Sequence, residues 1–461
     1  MAQSNERADP PGALKISVIG CGYLGAVHAA SMAELGHEVV GVEVDVEKAE
    51  ALAAGRVPFF EPGFEELLQR SLASGRLSFS PHMKAAAGAA VHFLCVGTPQ
   101  RRGEYAADLT YVEAATASLL DVLGPGELVV GKSTVPVGTA ARLAELVAER
   151  VPEAALAWNP EFLREGFAVQ DTLHPDRLVY GVADSAAGGA AGAGAPPVDA
   201  EALLDRVYAP IVADRTPKVV TDYATAEMVK TAANSFLATK ISFINAMAEL
   251  CEATGADVKQ LADAIGHDDR IGRKFLNAGL GFGGGCLPKD IRAFMARAGE
   301  LGADQALTFL REVDNINMRR RIRMVELARQ VCDDSLLGKR IAVLGAAFKP
   351  DSDDIRDSPA LNVAAQLQLQ GANVRVTDPQ ALPNVRRQWA QLDCVDTPEE
   401  AAEGADAVLL LTEWRQYKEL DPAAFGSVVK TRRVLDGRNA LDREAWEAAG
   451  WTYRALGRRN V

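Results

Sequence analysis

The sequence has few of the features that mark metalloproteins, disulfide scaffolds or membrane proteins. Its six cysteines are scattered without a CxxC pair, and its six histidines show no metal-binding spacing. This argues against a structural zinc site and is typical of thiols kept reduced in the cytoplasm. No apolar run reaches the length of a membrane span, and the polar, proline-rich first residues lack the apolar core of a signal peptide. We therefore expect a cytoplasmic protein with no metal ion and no membrane partner.

Length and charge narrow the functional classes further. The chain of 461 residues exceeds what one hydrophobic core usually holds, so we expect two or three domains. The net charge of −13 argues against nucleic acid as a partner. It does not exclude a phosphorylated ligand, because such a ligand responds to the groups around it rather than to the net charge.

Short apolar runs alternate with helical patterns in the first third of the chain. The runs LKISVIG, HEVVGVEVD, AVHFLCVGT and GELVVGKST read as buried strands, and segments 23–36, 108–122 and 138–150 carry helical spacing. Alternation of this kind predicts a parallel sheet covered by helices. The segment 184–197, rich in alanine and glycine, is predicted to be a flexible surface loop.

The pattern changes twice more along the chain. It becomes helical from Tyr223, with a long helix at about 304–333, and returns to α/β alternation from about Gly338. The predicted fold class is therefore α/β, with two Rossmann-like α/β domains joined by a central helical domain. The predicted ranges are a disordered tail at 1–13, a Rossmann-like domain at 14–221, the helical domain at 222–335 and a second α/β domain at 336–461.

A dinucleotide-binding fingerprint follows the first apolar strand. The run ISVIGCGYLG places Gly20, Gly22 and Gly25 in the spacing G-x-G-x-x-G, between a strand and a helix. The three glycines would allow a tight turn, the approach of a pyrophosphate and close helix–sheet packing. Glu43 ends the second strand, where a carboxylate accepts hydrogen bonds from a ribose diol and repels a 2′-phosphate. The pattern predicts NAD as the cofactor.

The run GFGGGCLPKD, at 281–290, places a cysteine behind three glycines and before a predicted helix. The helix dipole at such a position favours the thiolate of Cys286. Asp290 lies four residues further on, so a helical turn would bring its carboxylate back towards the sulfur. These features suggest a nucleophilic thiol, and the local sequence alone leaves an inert buried cysteine as an equal alternative.

Other polar residues recur at helical spacing. Glu161 and Glu165, and likewise Lys230 and Asn234, are four residues apart, so each pair would share one face if its segment is helical. Paired carboxylates could activate water, and Lys with Asn could stabilise an oxyanion. Thr134 ends a strand at the carboxyl edge of the first sheet, where ligands bind in open α/β folds. Each of these features alone also fits a solvated face or a helix cap.

The C-terminal domain lacks the triple-glycine turn. Its first strand runs into GAAFKPDSDDIRDSP, where Gly345 stands in place of three glycines. This domain should therefore bind something other than a complete dinucleotide. Lys349 and Arg356 in this loop suit phosphate groups, although solvated surface charges are the commoner case.

Taken together, nine motifs between Leu14 and Asn439 resemble the nucleotide-sugar dehydrogenase family. They are ISVIGCGYLG, FFEPGFEELL, CVGTPQ, STVPVGT, NPEFLREG, KTAANSF, GFGGGCLPKD, FKPDSDDIRDSP and LDGRN, in that order. The family oxidises C6 of a sugar from alcohol to carboxylate with two NAD⁺ and one water. The resemblance implies that Cys286 forms a thiohemiacetal and then a thioester.

The resemblance also assigns roles to individual residues. The implied catalytic residues are Cys286, Asp290, Lys230, Asn234, Thr134 and Glu161. The implied substrate-binding residues are Phe162, Leu163, Glu165, Arg270, Phe275, Gly283, Phe348, Lys349 and Arg438, with Arg270 reaching the substrate of a partner subunit. The implied cofactor-binding residues are Gly20, Gly22, Tyr23, Leu24, Gly25, Glu43, Thr98, Thr134 and Arg356.

The expected substrate is UDP-glucose, with the same chemistry on GDP-mannose or dTDP-glucose as the nearest alternative. Family members acting on N-acetylated UDP-hexosamines usually carry a histidine before the cysteine, where this chain has Gly285. A non-catalytic protein that binds NAD or a nucleotide sugar is the alternative from another functional class. The resemblance further implies a homodimer or higher homo-oligomer, formed through the central helices.

Overall fold

The computed structural model describes residues 12–183 and 198–458. The predicted surface loop at 184–197, and all but the last two residues of the predicted tail, lie outside the described residues. The chain forms two compact units, and the boundary between them falls after Ala232, inside a long helix.

In its described residues, the first unit consists of eight strands and the helices between them. Its strands are β1 Lys15–Ile19, β2 Glu38–Val42, β3 Leu77–Ser80, β4 Val91–Leu94, β5 Leu128–Gly131, β6 Ala155–Trp158, β7 Leu178–Val182 and β8 Lys218–Asp222. Its helices are α1 Tyr23–Glu34, α2 Val46–Ala53, α3 Phe64–Ala73, α4 Thr110–Leu120, α5 Thr139–Arg150, α6 Ala168–Leu173, α7 Ala200–Val207 and α8 Ala209–Ala213, with a 3₁₀ turn at Met83–Ala86. Helix α9, Tyr223–Thr254, crosses the boundary between the units.

The first sheet has the order β3-β2-β1-β4-β5-β6-β7-β8. Its first six strands are parallel and follow the 3-2-1-4-5-6 order of a doubly wound dinucleotide-binding fold. Strand β7 pairs antiparallel with β6, and β8 pairs parallel with β7. The ligand edge of such a sheet lies at the carboxyl ends of the parallel strands.

Two hydrophobic cores cover the two faces of this sheet. Ile16 and Val18 of β1 pack into one core with α1 and α3, whereas Ile19 packs into the other with α4 and α5. Adjacent strand residues point to opposite faces, so a strand buried on both sides reads as a continuous apolar run. This is why β1, β2, β4 and β5 were recognisable from sequence.

A polar trio crosses the interior of the first sheet. Ser17 of β1 faces His92 of β4, with Oγ and Nδ1 2.7 Å apart, and His92 Nε2 lies 3.0 Å from Glu127 Oε2. The order Ser, His, acid is that of a hydrolase triad. Ser17 and His92 are fully buried within paired strands, so the trio has no access to a substrate and serves to satisfy polar groups in the core.

The second unit combines helices with a six-stranded sheet. Its helices are α10 Val258–Gly266, α11 Leu287–Glu300, α12 Thr308–Val331, α13 Pro359–Leu369, α14 Leu382–Gln388, α15 Pro398–Ala402, α16 Arg415–Lys418, α17 Pro422–Phe425 and α18 Arg443–Ala448, with a 3₁₀ turn at Asp304–Leu307. Its strands are β9 Arg340–Leu344, β10 Asn373–Thr377, β11 Asp393–Cys394, β12 Ala407–Leu410, β13 Arg433–Asp436 and β14 Thr452–Ala455. The predicted helix at 304–333 is thus divided into the 3₁₀ turn and α12.

The second sheet repeats the 3-2-1-4-5-6 order of the six parallel strands of the first sheet. It is parallel throughout, in the order β11-β10-β9-β12-β13-β14. Helix α12 packs against it through Met324, Val325 and Ala328, which belong to the same hydrophobic core. The predicted α/β fold, with two Rossmann-like sheets and a central helical region, is confirmed.

The nucleotide turn of the second sheet is occupied by the protein itself. Asp378 follows β10 and is buried, and its Oδ2 accepts hydrogen bonds from the backbone N–H groups of Ala346 and Ala347, at 2.7 and 3.0 Å. Trp414 Nε1 donates to the same oxygen at 3.0 Å. In a dinucleotide-binding domain these turn amides would face a pyrophosphate. The second unit therefore repeats the architecture of the first without its phosphate-binding turn.

The described residues contain neither a candidate membrane span nor a candidate metal site. None of the helices within 12–183 and 198–458 has both the length and the apolar character of a membrane span. Across the same ranges, no three His, Cys, Asp or Glu side chains are grouped as ligands for a metal ion.

Candidate active site

The dinucleotide turn between β1 and α1 contains three glycines in different surroundings. A Cβ at Gly25 would lie 1.9 Å from the carbonyl oxygen of Gly20, and one at Gly20, where φ is +86°, would lie 2.7 Å from Val96 Cγ1. Gly22, at the N-terminus of α1, has no atom within 4 Å of its added Cβ. Two glycines are thus required by packing, whereas Gly22 leaves an open approach to the helix N-terminus. This arrangement fits the diphosphate of a dinucleotide.

The other cofactor candidates in the first unit surround this turn. Tyr23 and Leu24 begin α1, and Glu43 directly follows β2 with Oε1 accepting the N–H of Asp45 at 3.1 Å. Burial, and then the nearby Glu43 carboxylate, raise the pKa of the Cys21 thiol. Cys21 therefore stays protonated. The Glu43 carboxylate lies at the end of β2, which is the position of a ribose-binding acid in such a fold.

Thr98 and Thr134 come together at the carboxyl edge of the first sheet. Thr98 follows β4 and Thr134 follows β5, and Thr98 Oγ1 donates to the carbonyl oxygen of Thr134 at 2.7 Å. Glu227 of α9, which the sequence analysis did not single out, accepts the N–H groups of Gly138 and Ala140 at 2.7 and 2.6 Å. Its buried carboxylate caps α5 and so fixes the end of the Thr134 loop.

Glu161 lies in the loop after β6 and is held from two directions. Its Oε1 accepts the N–H groups of Phe162 and Leu163 at 2.8 and 3.0 Å, and its Oε2 lies 3.1 Å from Lys132 Nζ. Lys132 is buried and also donates to Asn159 Oδ1 at 3.0 Å. Burial would lower the pKa of Lys132, but the Glu161 carboxylate raises it well above its usual value. The contact between Lys132 and Glu161 therefore anchors this loop.

Glu161 and Glu165 were predicted to share one face only if their segment is helical, and it is not. The chain from 159 to 167 forms no helix, so the two carboxylates do not share a helix face.

Phe162 brings two cations to the same loop. The Arg177 guanidinium lies 3.9 Å from the centre of its ring, and Lys230 Nζ lies 5.6 Å from it. Lys230 is nearly buried on α9, four residues before Asn234. For this pair the predicted helical spacing is therefore present.

The thiol motif of the second unit forms the N-terminus of α11. Cys286 is the exposed N-cap residue, and its carbonyl oxygen accepts the N–H of Asp290 at 2.9 Å. The Asp290 carboxylate is buried, with Asn234 Nδ2 donating to Oδ2 at 2.7 Å and Lys289 Nζ to Oδ1 at 2.6 Å. Three of the predicted catalytic residues are thus brought together. Lys289 is not among the predicted catalytic residues.

The glycines before Cys286 are packed against the protein's own groups. A Cβ at Gly283 would lie 2.4 Å from the carbonyl oxygen of Asp357, and one at Gly284 would lie 2.7 Å from the Phe348 ring. Asn317 on α12 bonds both backbone groups of Phe282, accepting its N–H at 2.7 Å and donating to its carbonyl at 3.0 Å. Close packing therefore holds the backbone of the thiol loop in one conformation.

The loop after β9 supplies further candidate residues. Phe348 and Lys349 are half-buried, with the ammonium 5.4 Å from the ring centre, and Arg356 forms an ion pair with Asp354 at 2.7 Å. Arg438 donates to the carbonyl oxygens of Leu411, Gly281 and Phe348 at 2.7, 3.0 and 3.1 Å. Burial lowers the pKa of Arg438. The guanidinium thus joins the thiol loop to the Phe348 loop.

Two further predicted substrate residues, Arg270 and Phe275, precede the thiol motif in the chain. Arg270 is highly exposed and pairs with Asp268 at 2.6 Å. Phe275 adopts a φ of +65°, which is rare for a bulky residue and often marks a functional segment. The roles of Arg270 and Phe275 in substrate binding stay predictions.

Comparison with known proteins accounts for this arrangement. Three family models match successive segments of the chain: the NAD binding domain of the UDP-glucose/GDP-mannose dehydrogenase family at 14–212, its central domain at 224–319 and its UDP binding domain at 342–443. The chain belongs to the UDP-glucose/GDP-mannose dehydrogenase family. The predicted resemblance, the NAD-binding domain and the dehydrogenase class are thereby confirmed.

Individual family members are similar over nearly their whole length. UDP-glucose 6-dehydrogenase of Rhizobium meliloti (strain 1021) is 41% identical, covering 96% of this chain and 100% of the relative. UDP-glucose 6-dehydrogenase YwqF of Bacillus subtilis (strain 168) is 38% identical, covering 97% and 98%. A solved UDP-glucose dehydrogenase from Pyrobaculum islandicum superimposes with a TM-score of 0.86 at 37% identity, covering 99% of this chain and 100% of that one.

Proposed function

We propose that this protein oxidises UDP-glucose to UDP-glucuronate with NAD as the acceptor, in two successive two-electron steps. The observation that carries the proposal is the position of Cys286 at the start of α11, one turn before a buried Asp290 held by Asn234 and Lys289. Relatives named UDP-glucose 6-dehydrogenase support the choice of sugar nucleotide.

The first unit supplies what the cofactor needs. NAD, when bound, accepts one hydride in each of the two oxidation steps. The open N-terminus of α1 at Gly22 would hold its diphosphate, and Glu43 would accept hydrogen bonds from its ribose. Lys230, whose ammonium lies 5.6 Å from the centre of the Phe162 ring, would stabilise the alkoxide that forms as the C6 hydroxyl loses its proton.

The second unit supplies the proton acceptor and the nucleophile. Asp290 would take the hydroxyl proton through a water molecule, while the carbon loses its hydride. The Cys286 thiolate would then attack the aldehyde carbon, and the oxygen would take up a proton to give a thiohemiacetal. The N-terminal end of α11 favours the thiolate form required for attack.

The second half of the reaction would release the acid. Loss of the second hydride and the hydroxyl proton would leave a thioester on Cys286. Water would add to the thioester carbonyl, and cleavage of the C–S bond would return the thiol and the carboxylate. Thr134, Glu161 and Asn234 are proposed to order this water or to assist its proton transfer. Since Glu161 is anchored by Lys132, it is a fixed acceptor for such a water.

Gly285, the residue before Cys286, supports a hexose without an N-acetyl group as the substrate. A Cβ at Gly285 would lie 2.2 Å from the Arg356 guanidinium carbon, so a larger residue there would displace Arg356. We keep Arg356 as a proposed cofactor contact and Phe348, Lys349 and Arg438 as proposed substrate contacts. This crowding supports UDP-glucose over N-acetylated UDP-hexosamines, whose enzymes usually carry histidine at this position.

A substrate panel tests the proposal. The purified chain would be incubated with NAD and each of UDP-glucose, GDP-mannose and dTDP-glucose, with NADH formation and product mass recorded. We expect turnover of UDP-glucose to UDP-glucuronate at a kcat/KM at least about 100-fold above the others, as polar recognition of a base typically allows. Turnover of GDP-mannose without turnover of UDP-glucose would refute the substrate assignment. Binding without turnover of any sugar would support the non-catalytic alternative.

We also propose that a second copy of the chain covers an apolar face of α9. Phe236, Phe243 and Leu250 are seven residues apart, lie on one face and are 66%, 48% and 57% exposed. Helix α12 exposes Phe309 and Ile322 as well. Large apolar side chains that are exposed and aligned on one helix face are typical of an interface. Arg270 is proposed to reach the substrate of that second copy.

Sedimentation analysis tests this interface. We expect the parent chain to sediment as a dimer or higher oligomer and Phe243→Glu to shift it towards the monomer, because a charge would be buried in the interface. Leu369→Glu, at an exposed apolar residue of α13, is the matched control and should leave the mass unchanged. A monomeric parent chain would overturn the proposal.

Two further expectations remain proposals. We propose that the domains span residues 14–221, 222–335 and 336–461. We also place the protein in the cytoplasm. No disulfide joins any of its six cysteines, all of which lie in the described residues, and this supports a reducing compartment.

A further inference from the structure

The motif FFEPGFEELL contains a buried carboxylate to which no role has been given so far. Glu61 lies in the loop between α2 and α3 and is only 6% exposed. Its carbonyl oxygen accepts the N–H of Phe64, and Gly63 adopts a φ of +74° as the N-cap of α3. The backbone of Glu61 is therefore fixed at the start of a helix, and its side chain points into the first unit.

On one side Glu61 contacts the start of the cofactor helix. Tyr23 directly follows Gly22 of the dinucleotide turn, and its hydroxyl donates a hydrogen bond to Glu61 Oε2. The Tyr23 ring packs on Phe59 of the same motif, with centroids 4.8 Å apart. Burial, and then the Glu61 carboxylate, raise the pKa of Tyr23, so its hydroxyl keeps the proton that it donates.

On the other side Glu61 contacts the end of the loop that carries Glu161 and Glu165. The N–H of Gly166 donates to Oε2 at 2.6 Å, and the N–H of Ala168 donates to Oε1 at 2.7 Å. The Gly166 N–H also lies 3.1 Å from the Tyr23 hydroxyl oxygen. Gly166 has a φ of +80°, a conformation that a residue with a Cβ would resist.

One buried carboxylate thus bonds to the first residue of the cofactor helix and to the last residues of the proposed sugar loop. We propose that Glu61 is a positioning residue that couples the binding of the dinucleotide to the binding of the nucleotide sugar. A dinucleotide that orders the start of α1 also orders Tyr23, and through Glu61 it holds the loop at 161–167 in place. The second ligand then binds a loop whose ordering has already been achieved, which is positive cooperativity.

The coupling can be measured with ligands that do not react together. The dissociation constant of NADH is determined by titration calorimetry without and with saturating UDP-glucose, and the ratio of the two is the coupling factor. We expect about fivefold or more in the parent chain, the lower end of typical coupling between sites. The inference rests on the proposed function only in its choice of UDP-glucose as the second ligand.

Substitution at both ends of the contact gives the decisive comparison. In Glu61→Gln the coupling factor should fall to within about twofold of unity, because an amide cannot accept from Tyr23, Gly166 and Ala168 together. Tyr23→Phe removes one hydroxyl and should lower the factor at least about threefold. Glu66→Gln, at an exposed position on α3, is the matched control and should keep the parent value.

The outcomes separate this inference from the proposed function. A coupling factor of one in the parent chain, or an undiminished factor in Glu61→Gln, overturns the role of Glu61 even when UDP-glucose is turned over. Absence of turnover overturns the proposed function instead. If Glu61→Gln does not fold, Tyr23→Phe decides, since an undiminished factor in that variant also overturns the inference.

Discussion

Asn234 donates a hydrogen bond from its side-chain amide to Asp290, with Nδ2 and Oδ2 2.7 Å apart. Both side chains are buried, and Lys289 binds the other carboxylate oxygen at 2.6 Å. A buried carboxylate with both oxygens engaged keeps a defined orientation. Asp290 lies one turn of α11 after Cys286, so the proposed proton acceptor and the proposed nucleophile share one helix.

Removal of the Asn234 amide should slow the reaction. In Asn234→Ala we expect kcat to fall about tenfold to 100-fold, because a hydrogen bond to a charged group is lost and Asp290 is left misoriented. Steady-state NADH formation with UDP-glucose measures the effect. Asn373→Ala, at an exposed position on β10, is the control. An unchanged kcat in Asn234→Ala would show that this contact plays no part in catalysis.

The glycines of the dinucleotide turn should respond differently to the same methyl group. Gly22→Ala meets open space, so the protein should keep its stability but bind NAD about tenfold or more weakly, because the methyl group obstructs the diphosphate. Gly25→Ala overlaps the Gly20 carbonyl oxygen and should lower the free energy of unfolding by about 1–3 kcal/mol. Calorimetric titration and denaturant unfolding separate the two effects. Unaltered NAD affinity in Gly22→Ala would argue against a diphosphate at this helix N-terminus.

Cys286 should be needed for the acid and not for the cofactor. In Cys286→Ser we expect formation of UDP-glucuronate to fall by at least about 10³-fold, since a hydroxyl is a far weaker nucleophile than a thiolate. The NAD dissociation constant should stay within about twofold of the parent value, because the dinucleotide turn belongs to the first unit. Sustained acid formation in this variant would exclude the covalent route.

Glu127 should make stability depend on pH in the acidic range. Burial would raise its pKa, but the hydrogen bonds from His92 and the Gly124 N–H lower it overall. A lowered pKa in the folded state stabilises the protein above the usual glutamate value of about 4.3, and this contribution is lost as pH falls through the folded pKa. The stability difference between parent and Glu127→Gln, about 1 kcal/mol at neutral pH, should therefore shrink on acidification.

Urea unfolding of both chains between neutral and acidic pH measures this difference. Glu38→Gln, at an exposed residue of β2, is the control and should parallel the parent at every pH. A difference that stays constant with pH would mean that the Glu127 charge contributes nothing to folding.

Much of the fold was predictable because its signals are local. Strands buried on both faces are continuous apolar runs, as in β1 and β5, and the turn after β1 requires glycine where Val96 and the Gly20 carbonyl approach. The four-residue spacing of Lys230 and Asn234 places both residues on one face of α9, as the sequence predicted. Local periodicity therefore predicted both sheets and the central helices.

The residues that the sequence analysis missed act through distant contacts. Glu61 accepts hydrogen bonds from backbone N–H groups more than 100 positions away. Lys132, after β5, pairs with Glu161, after the neighbouring strand β6. Asn317 of α12 binds the backbone of Phe282 in the loop before α11. Nothing in the neighbouring sequence of such residues indicates their partners. The Asp378 carboxylate, which fills the second nucleotide turn, is of the same kind. Sequence motifs thus indicated which loops matter, and the structure shows what holds them.

The number of NADH formed for each UDP-glucose consumed tests the central claim most directly. A limiting amount of UDP-glucose would be converted to completion with excess NAD, and the sugar product would be identified by mass. The thiohemiacetal and thioester route through Cys286 predicts two NADH and UDP-glucuronate. One NADH with an aldehyde product would contradict it, because the reaction would then end before the second hydride transfer.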